Sequence, residues 1–197
     1  MGLVYSYNIY LPPRNVAGAL VRLAGLAPPA RRSSLEVTLP GGDRVSLPFT
    51  SGFKSDPVDC SAGETVRLDT SIMFDLDDAL REYCETSGPD PGEDGRVQIG
   101  YVYLTIRFAS WAHPRYTEME FWAATSGMSR LFARSGRIRE TLTGLAAASG
   151  AVCCLFDTGD GAPEQVCWVH DESASEGVSG SRVPDLRAFA AAAWPDP

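Results

Sequence analysis

Asp157-Thr158-Gly159 follows the apolar run 151–156, and an Asp-Thr-Gly in that setting is how an aspartic protease presents a catalytic carboxylate. That chemistry needs two carboxylates sharing one proton, supplied by two lobes or by two copies of an all-β subunit. The chain holds one such triplet, a helix-rich segment precedes it, and the residues after Gly159 offer no strand pair for the supporting half of a lobe. Asp157, Gly159, Asp160 and Gly161 are instead the residue types of a tight hairpin connection, where positive φ is needed and Asp side chains bond the local backbone. The triplet therefore reads as a turn.

Cys153, Cys154, Cys167 and His170 share the same stretch. Structural zinc sites pair their ligands at Cys-x2-4-Cys spacing, which is missing here. Adjacent cysteines on a strand point to opposite faces, so at most one of Cys153 and Cys154 can join Cys167. If Asp157 pairs near Glu164, that one is Cys154. The expectation is small buried cysteines in a core hairpin, with no metal and no cofactor. A Cys nucleophile with a His base requires His113 or His170, the only two histidines. His113 lies in the connection SWAHPRY, where exposure is expected. No Gly-x-Ser-x-Gly elbow, phosphate-binding loop or Gly-x-Gly-x-x-Gly helix start occurs, so no catalytic residue is named.

The stretch TSGMSRLFARSGRIRE places two Ser-Gly helix starts nine residues apart, accompanied by Arg130, Arg134, Arg137 and Arg139. Helix N-termini with guanidinium groups nearby hold anions. Ser126, Arg130, Arg134, Ser135, Arg137 and Arg139 are thus the candidate site for a small anionic ligand, against the plainer reading of two capped helices with solvated arginines.

Charge gives a second candidate. The 197 residues carry a net charge of −8, with Lys54 the only lysine among seventeen basic residues. That balance disfavours phosphate-backbone binding, so no nucleic-acid partner is expected. Residues 55–99 hold twelve acidic and three basic groups, a net of −9. Asp77 and Asp78 fall in a helix start, where negative charge suits the dipole. Asp90, Glu93 and Asp94 fall in the turn-rich loop ETSGPDPGEDG and are the candidate contacts to a protein with a basic surface.

The elements that position these residues follow from periodicity. Residues 3–10 alternate as a strand, and Val16, Ala19, Leu20 and Leu23 recur at helical steps until Pro28-Pro29. SLEVTLPGGDRVSLPF is a hairpin about Gly41-Gly42. TVRLDTSIMF is extended, and Asp75 is placed to cap a helix starting at Leu76. VQIGYVYLTIRFA is the strongest strand, with YTEMEFWA its antiparallel partner, alternating Met119, Phe121 and Ala123 against Glu118, Glu120 and Trp122. Two helices capped by Thr125 or Ser126 and by Ser135 follow, and then the hairpin AVCCLF and EQVCWV.

The order βαββ-βαββ-ααββ plus a C-terminal helix predicts an α+β fold, a mostly antiparallel sheet with helices packed on one face. Residues 1–170 form a single domain in this reading, 171–184 a flexible linker, and 185–194 a short amphipathic helix with Leu186, Phe189, Ala190, Ala193 and Trp194 on one side. No apolar run approaches the ~20 residues of a membrane span. Gly2 and Ser6 fit the loose myristoylation pattern, but a polybasic second anchor is missing. Five cysteines, an odd number, and an opening MGLVYSYNIY without a basic segment predict a reducing, cytoplasmic setting. The functional expectation is a non-catalytic protein-binding module, immunity- or inhibitor-like, with the anion site as the alternative.

Overall fold

Strand alternation decides what each side of the sheet receives. Tyr7, Ile9 and Leu11 of β1 (Ser6–Leu11) point to one side and Ser6, Asn8 and Tyr10 to the other, and all six are buried. The computed structural model describes residues 2–29, 34–63, 65–86, 89–162, 164–170 and 180–195. Around β1 it builds a seven-stranded antiparallel sheet from β5 (Val66–Asp75), β6 (Arg96–Arg107), β7 (Thr117–Ala123), β8 (Cys153–Asp157), β9 (Glu164–Val169) and β10 (Arg182–Val183). The order across it is β10-β9-β8-β1-β7-β6-β5. A small second sheet, β3-β2-β4, is made by β2 (Leu35–Thr38), β3 (Arg44–Leu47) and β4 (Val58–Asp59).

The odd-numbered side of β1 is the main core. There α1 (Val16–Ala24), α2 (Asp78–Thr86), α3 (Ser126–Arg134) and α4 (Gly136–Ala148) bury Leu20, Leu80, Phe132 and Leu142 among Ile9, Leu104, Ile106 and Phe121. Each helix presents apolar residues at three- and four-residue steps, such as Val16, Ala19, Leu20 and Leu23 of α1, so one stripe is hidden and the rest is solvated. Thr125 caps α3 and Ser135 caps α4, accepting from the backbone N–H of Met128 and Ile138. The Tyr7 hydroxyl donates to the Phe132 carbonyl at 2.9 Å, tying the sheet centre to α3. The fold is thus α+β, with α1–α4 on one face of an antiparallel sheet.

Two boundaries differ from the sequence reading. β5 runs on through Asp75, which pairs with Arg96, so the cap of α2 falls to Asp77, whose Oδ1 accepts from Leu80 N at 2.9 Å. The second concerns the expected linker 171–184. Residues 171–179 lie outside the described residues, but Arg182 and Val183 form β10 on the sheet edge, opposite Gln165 and Glu164. After it, α5 (Leu186–Ala193), capped by Asp185, lays Leu186, Ala190 and the following Trp194 against Tyr10, Tyr116, Val152 and Val166. This second, smaller core lies on the opposite face of the sheet from α1–α4. Its segment also docks by the Tyr116 hydroxyl donating to the Pro195 carbonyl and by Arg187 Nε donating to Trp111 O.

Candidate functional site

Asp157-Thr158-Gly159 sits in the β8–β9 connection. The Asp157 carboxylate accepts from Gly159 N at 2.8 Å, and Asp160 accepts from Thr158 Oγ1 and Ala162 N. Gly159 has φ +66, and a Cβ there would stand 2.6 Å from the Val4 carbonyl oxygen, so glycine is required on two counts. The hairpin is pinned as well as turned.

Across β8 and β9, Cys154 is opposite Trp168 and Leu155 opposite Val166, which leaves Cys167 as the extra residue of a bulge beside Cys154. All five cysteines are thiols. Burial is the main cause that pushes those of Cys153, Cys154 and Cys167 up, away from the reactive thiolate form. Among the described residues, no group of three or more His, Cys, Asp or Glu is placed to hold a metal ion. His113 packs half-buried against Tyr116 and Trp194, with ring centroids at 5.2 and 6.2 Å.

The Arg-rich helix pair does not bring its six residues to one place. Ser126 accepts from Leu3 N at 3.0 Å, and the neighbouring Ser129 donates to Leu3 O, so the first turn of α3 is stitched to the extended segment just before β1. Arg134 pairs with Glu82 of α2, and Arg137 pairs with Glu140 along its own helix. Arg130 is exposed, and Arg139 is half-buried. At the start of α4 the Asp77 carboxylate occupies the position an anion would take. Its Oδ2 accepts from Ser135 Oγ at 2.7 Å and Arg137 N at 3.2 Å. Burial works against ionising Asp77, but donors from Leu80, Ser135, Arg137 and Gly136 outweigh it and hold the carboxyl below its ordinary value.

Residues 92–96 of the acidic loop, leading into β6, form a built turn. Gly92 N donates to Arg96 O and Gly95 N to Gly92 O, and Asp94 accepts from Arg96 N at 3.0 Å and from Arg96 Nε at 2.7 Å. Asp94 is therefore the brace of the loop. Asp90 and Glu93 are exposed and make no ion pair among the described residues. Asp90 also lines an open depression of about 240 Å³ with Leu76, Arg81, Cys84, Glu85 and Pro91.

A third cluster was not singled out from sequence. On the sheet face opposite α1–α4, Asn8 is opposite Glu120, Tyr10 opposite Glu118, and Thr105 and Arg107 opposite Glu120 and Glu118 on the other side. Glu118, only 3% exposed, accepts from the Tyr10 hydroxyl at 3.2 Å and lies 3.4 Å from Arg107 Nη1. Arg107 Nη2 reaches Glu120 at 2.9 Å. Burial pushes the Glu118 carboxyl up despite Arg107. Glu164, on β9, is pushed up to about 7, first by burial and then by Asp157, Glu118 and Glu120. Trp122 and Tyr103 stack alongside at 4.5 Å, and the row of rings runs on to Tyr101 and Phe53. Phe53 keeps φ +60 because the buried Asp69 carboxylate accepts from its N–H at 2.6 Å and from Thr50 Oγ1.

The signal for this face was in the alternation of TEMEFWA and YVYLTIR, which puts Glu118, Glu120 and Trp122, and Tyr101, Tyr103, Thr105 and Arg107, on one side of each strand. What periodicity lacks is that β1 and β9 bring Asn8 and Glu164 to them. In comparisons with known proteins, the chain matches no family model, no curated protein and no solved structure.

Proposed function

We propose that the protein is a non-catalytic binding module of the cytoplasm that engages a basic protein through its acidic surfaces, in an immunity- or inhibitor-like role. The observation that carries this reading is the α2–β6 loop. It presents Asp90 and Glu93, exposed and unpaired among the described residues, on a turn already ordered by Asp94 and Arg96. A preordered loop loses little entropy on docking, and carboxylates without internal partners keep their field for an incoming cation. The neighbouring depression gives a partner's apolar side chain a place beside those charges. Among the described residues no helix is long and apolar enough to cross a membrane. The anion-site reading is weakened by Asp77, since the N–H donors it needs at α4 are taken by the chain's own carboxylate.

Capture of partners on the immobilised chain, followed by association kinetics, tests the reading. Changing Asp90→Asn together with Glu93→Gln is expected to slow association by roughly tenfold at low ionic strength and much less at high ionic strength, with dissociation little changed. Asp94 is left intact because its loss would loosen the loop itself. An association rate indifferent both to the two substitutions and to salt would exclude electrostatic docking through this face.

A further inference from the structure

One part of the sheet has no cover. On one side α1–α4 pack over Ile9 and Phe121, and on the other α5 closes over Tyr10, Leu155 and Val166, the part built by β1, β8 and β9. The β6–β7 part of that second side keeps Tyr101, Tyr103 and Trp122 outside both cores. Phe53 joins them from the turn beside β5. Its ring stands 5.4 Å from that of Tyr101 and 6.5 Å from that of Tyr103, and Tyr103 is 4.5 Å from Trp122, so four rings form one strip.

Phe53 is its least expected member. Gly52 and Phe53 are the central residues of a tight turn closed by Ser51 and Lys54, with φ +56 and +60. Such a turn selects Asn and Gly, because a larger side chain is crowded at positive φ. The ring is 61% exposed, so burial within the chain does little to offset that cost. A strained residue fixed by the buried Asp69 carboxylate, with its ring displayed to solvent beside three others, points to a partner that covers it.

We propose that this strip docks a proline-rich segment of a partner protein, in the extended polyproline conformation, with acidic residues beside the prolines. Neighbouring aromatic rings on an open surface receive pyrrolidine rings between and upon them. The hydrogen-bonding groups of the floor are already engaged: Arg107 with Glu120, Gln98 with Ser71, Trp122 with Thr105, and Asp69 with Thr50 and Phe53 N. A sugar needs such groups free, whereas proline has no N–H and brings few donors to satisfy. Its fixed φ also keeps the ordering cost small. Charge selects the acidic neighbours. Lys54 and Arg67 are exposed on the β5 side of the strip and make no ion pair among the described residues, in a chain whose net charge is −8.

Titration of the full chain into a labelled octaproline peptide ending in two aspartates, followed by fluorescence anisotropy, tests the strip. Saturable one-to-one binding is expected, at least about tenfold tighter than for a glycine–serine peptide of the same length and charge. Phe53→Asn keeps the backbone N–H that Asp69 holds and suits positive φ. It should weaken binding about fivefold or more while leaving the thermal midpoint unchanged or raised. Lys54→Gln with Arg67→Gln should weaken this peptide roughly threefold at low ionic strength and leave octaproline without the aspartates unaffected. No saturable binding, equal binding of the glycine–serine peptide, or indifference to either set of substitutions overturns the proposal. So does a midpoint lowered by about 5 °C or more in Phe53→Asn, which would make the ring a structural one. Saturable binding of cellohexaose in place of the peptide, or a dimer of the chain that Phe53→Asn dissolves, assigns the strip to a sugar or to a second copy and likewise overturns it. Failure here leaves the acidic-loop reading untouched, because the strip contains neither Asp90 nor Glu93.

Discussion

Replacing Trp194 by alanine is expected to lower the stability of the entire chain by about 3 kcal/mol, the lower end of the range for a buried Trp→Ala change. Trp194 is 7% exposed and packs its ring on Tyr10 and Tyr116, with centroids at 4.8 and 5.2 Å. The lower end applies because the indole N–H is buried without a hydrogen-bond partner, so part of the gain from burying the ring is already offset. Trp194→Phe keeps a ring and removes that donor, and its loss should be well under half as large. Urea unfolding read by far-UV circular dichroism is the measurement. A single transition with a lowered midpoint is expected for Trp194→Ala. An unchanged main transition with a separate early one would make α5 a tethered appendage instead of part of the core.

That distinction shows where the sequence was readable and where it was not. The helical stripe of Leu186, Phe189, Ala190 and Trp194 announces an amphipathic helix, but a stripe says nothing about which surface receives it. The receiving surface is assembled from Tyr10, Tyr116, Val152 and Val166, four residues from distant parts of the chain. The same reason hid the Asn8, Glu118 and Glu164 cluster: alternation within YTEMEFWA gave the face of Glu118, but the strand order that seats β1 between β7 and β8 is non-local. Local signals fared better. The caps at Thr125 and Ser135, the hairpin about Gly41-Gly42 and the Asp157 turn depend on residues within a few positions of one another, and each lies where its chemistry puts it. The misassigned cap at Asp75 is instructive, because Asp75 had a competing use in the ladder with Arg96 that only the fold supplies.

Asp77→Ala is the second change with a large expected effect, about 2–3 kcal/mol of destabilisation. One carboxylate serves two helices: it caps α2 through Leu80 N and fills the start of α4 through Ser135 Oγ and Arg137 N. Loss of a cap costs about 1 kcal/mol, and hydrogen bonds to a charged group contribute about 1.5–3 kcal/mol, reduced here because water reaches the half-buried site. The pH dependence has a definite sign. The folded-state carboxyl lies below its ordinary value, so this stability is present above about pH 4 and is lost as pH falls through the folded-state value. The gap in midpoint between wild type and Asp77→Ala should be constant near neutrality and close in acid. A gap that persists in acid would mean that the side chain acts by packing and not by charge.

The same substitution bears on the choice between acidic docking and anion capture, since it vacates the start of α4. The direct measurement is hydrogen exchange on the chain with and without a captured basic partner. Protection is expected over residues 89–96, where Asp90 and Glu93 are displayed on the Asp94–Arg96 turn, and little change over residues 125–140. Protection confined to 125–140, with the 89–96 amides exchanging as in the free protein, would contradict docking through the acidic loop and return the binding site to the Arg-rich helix pair.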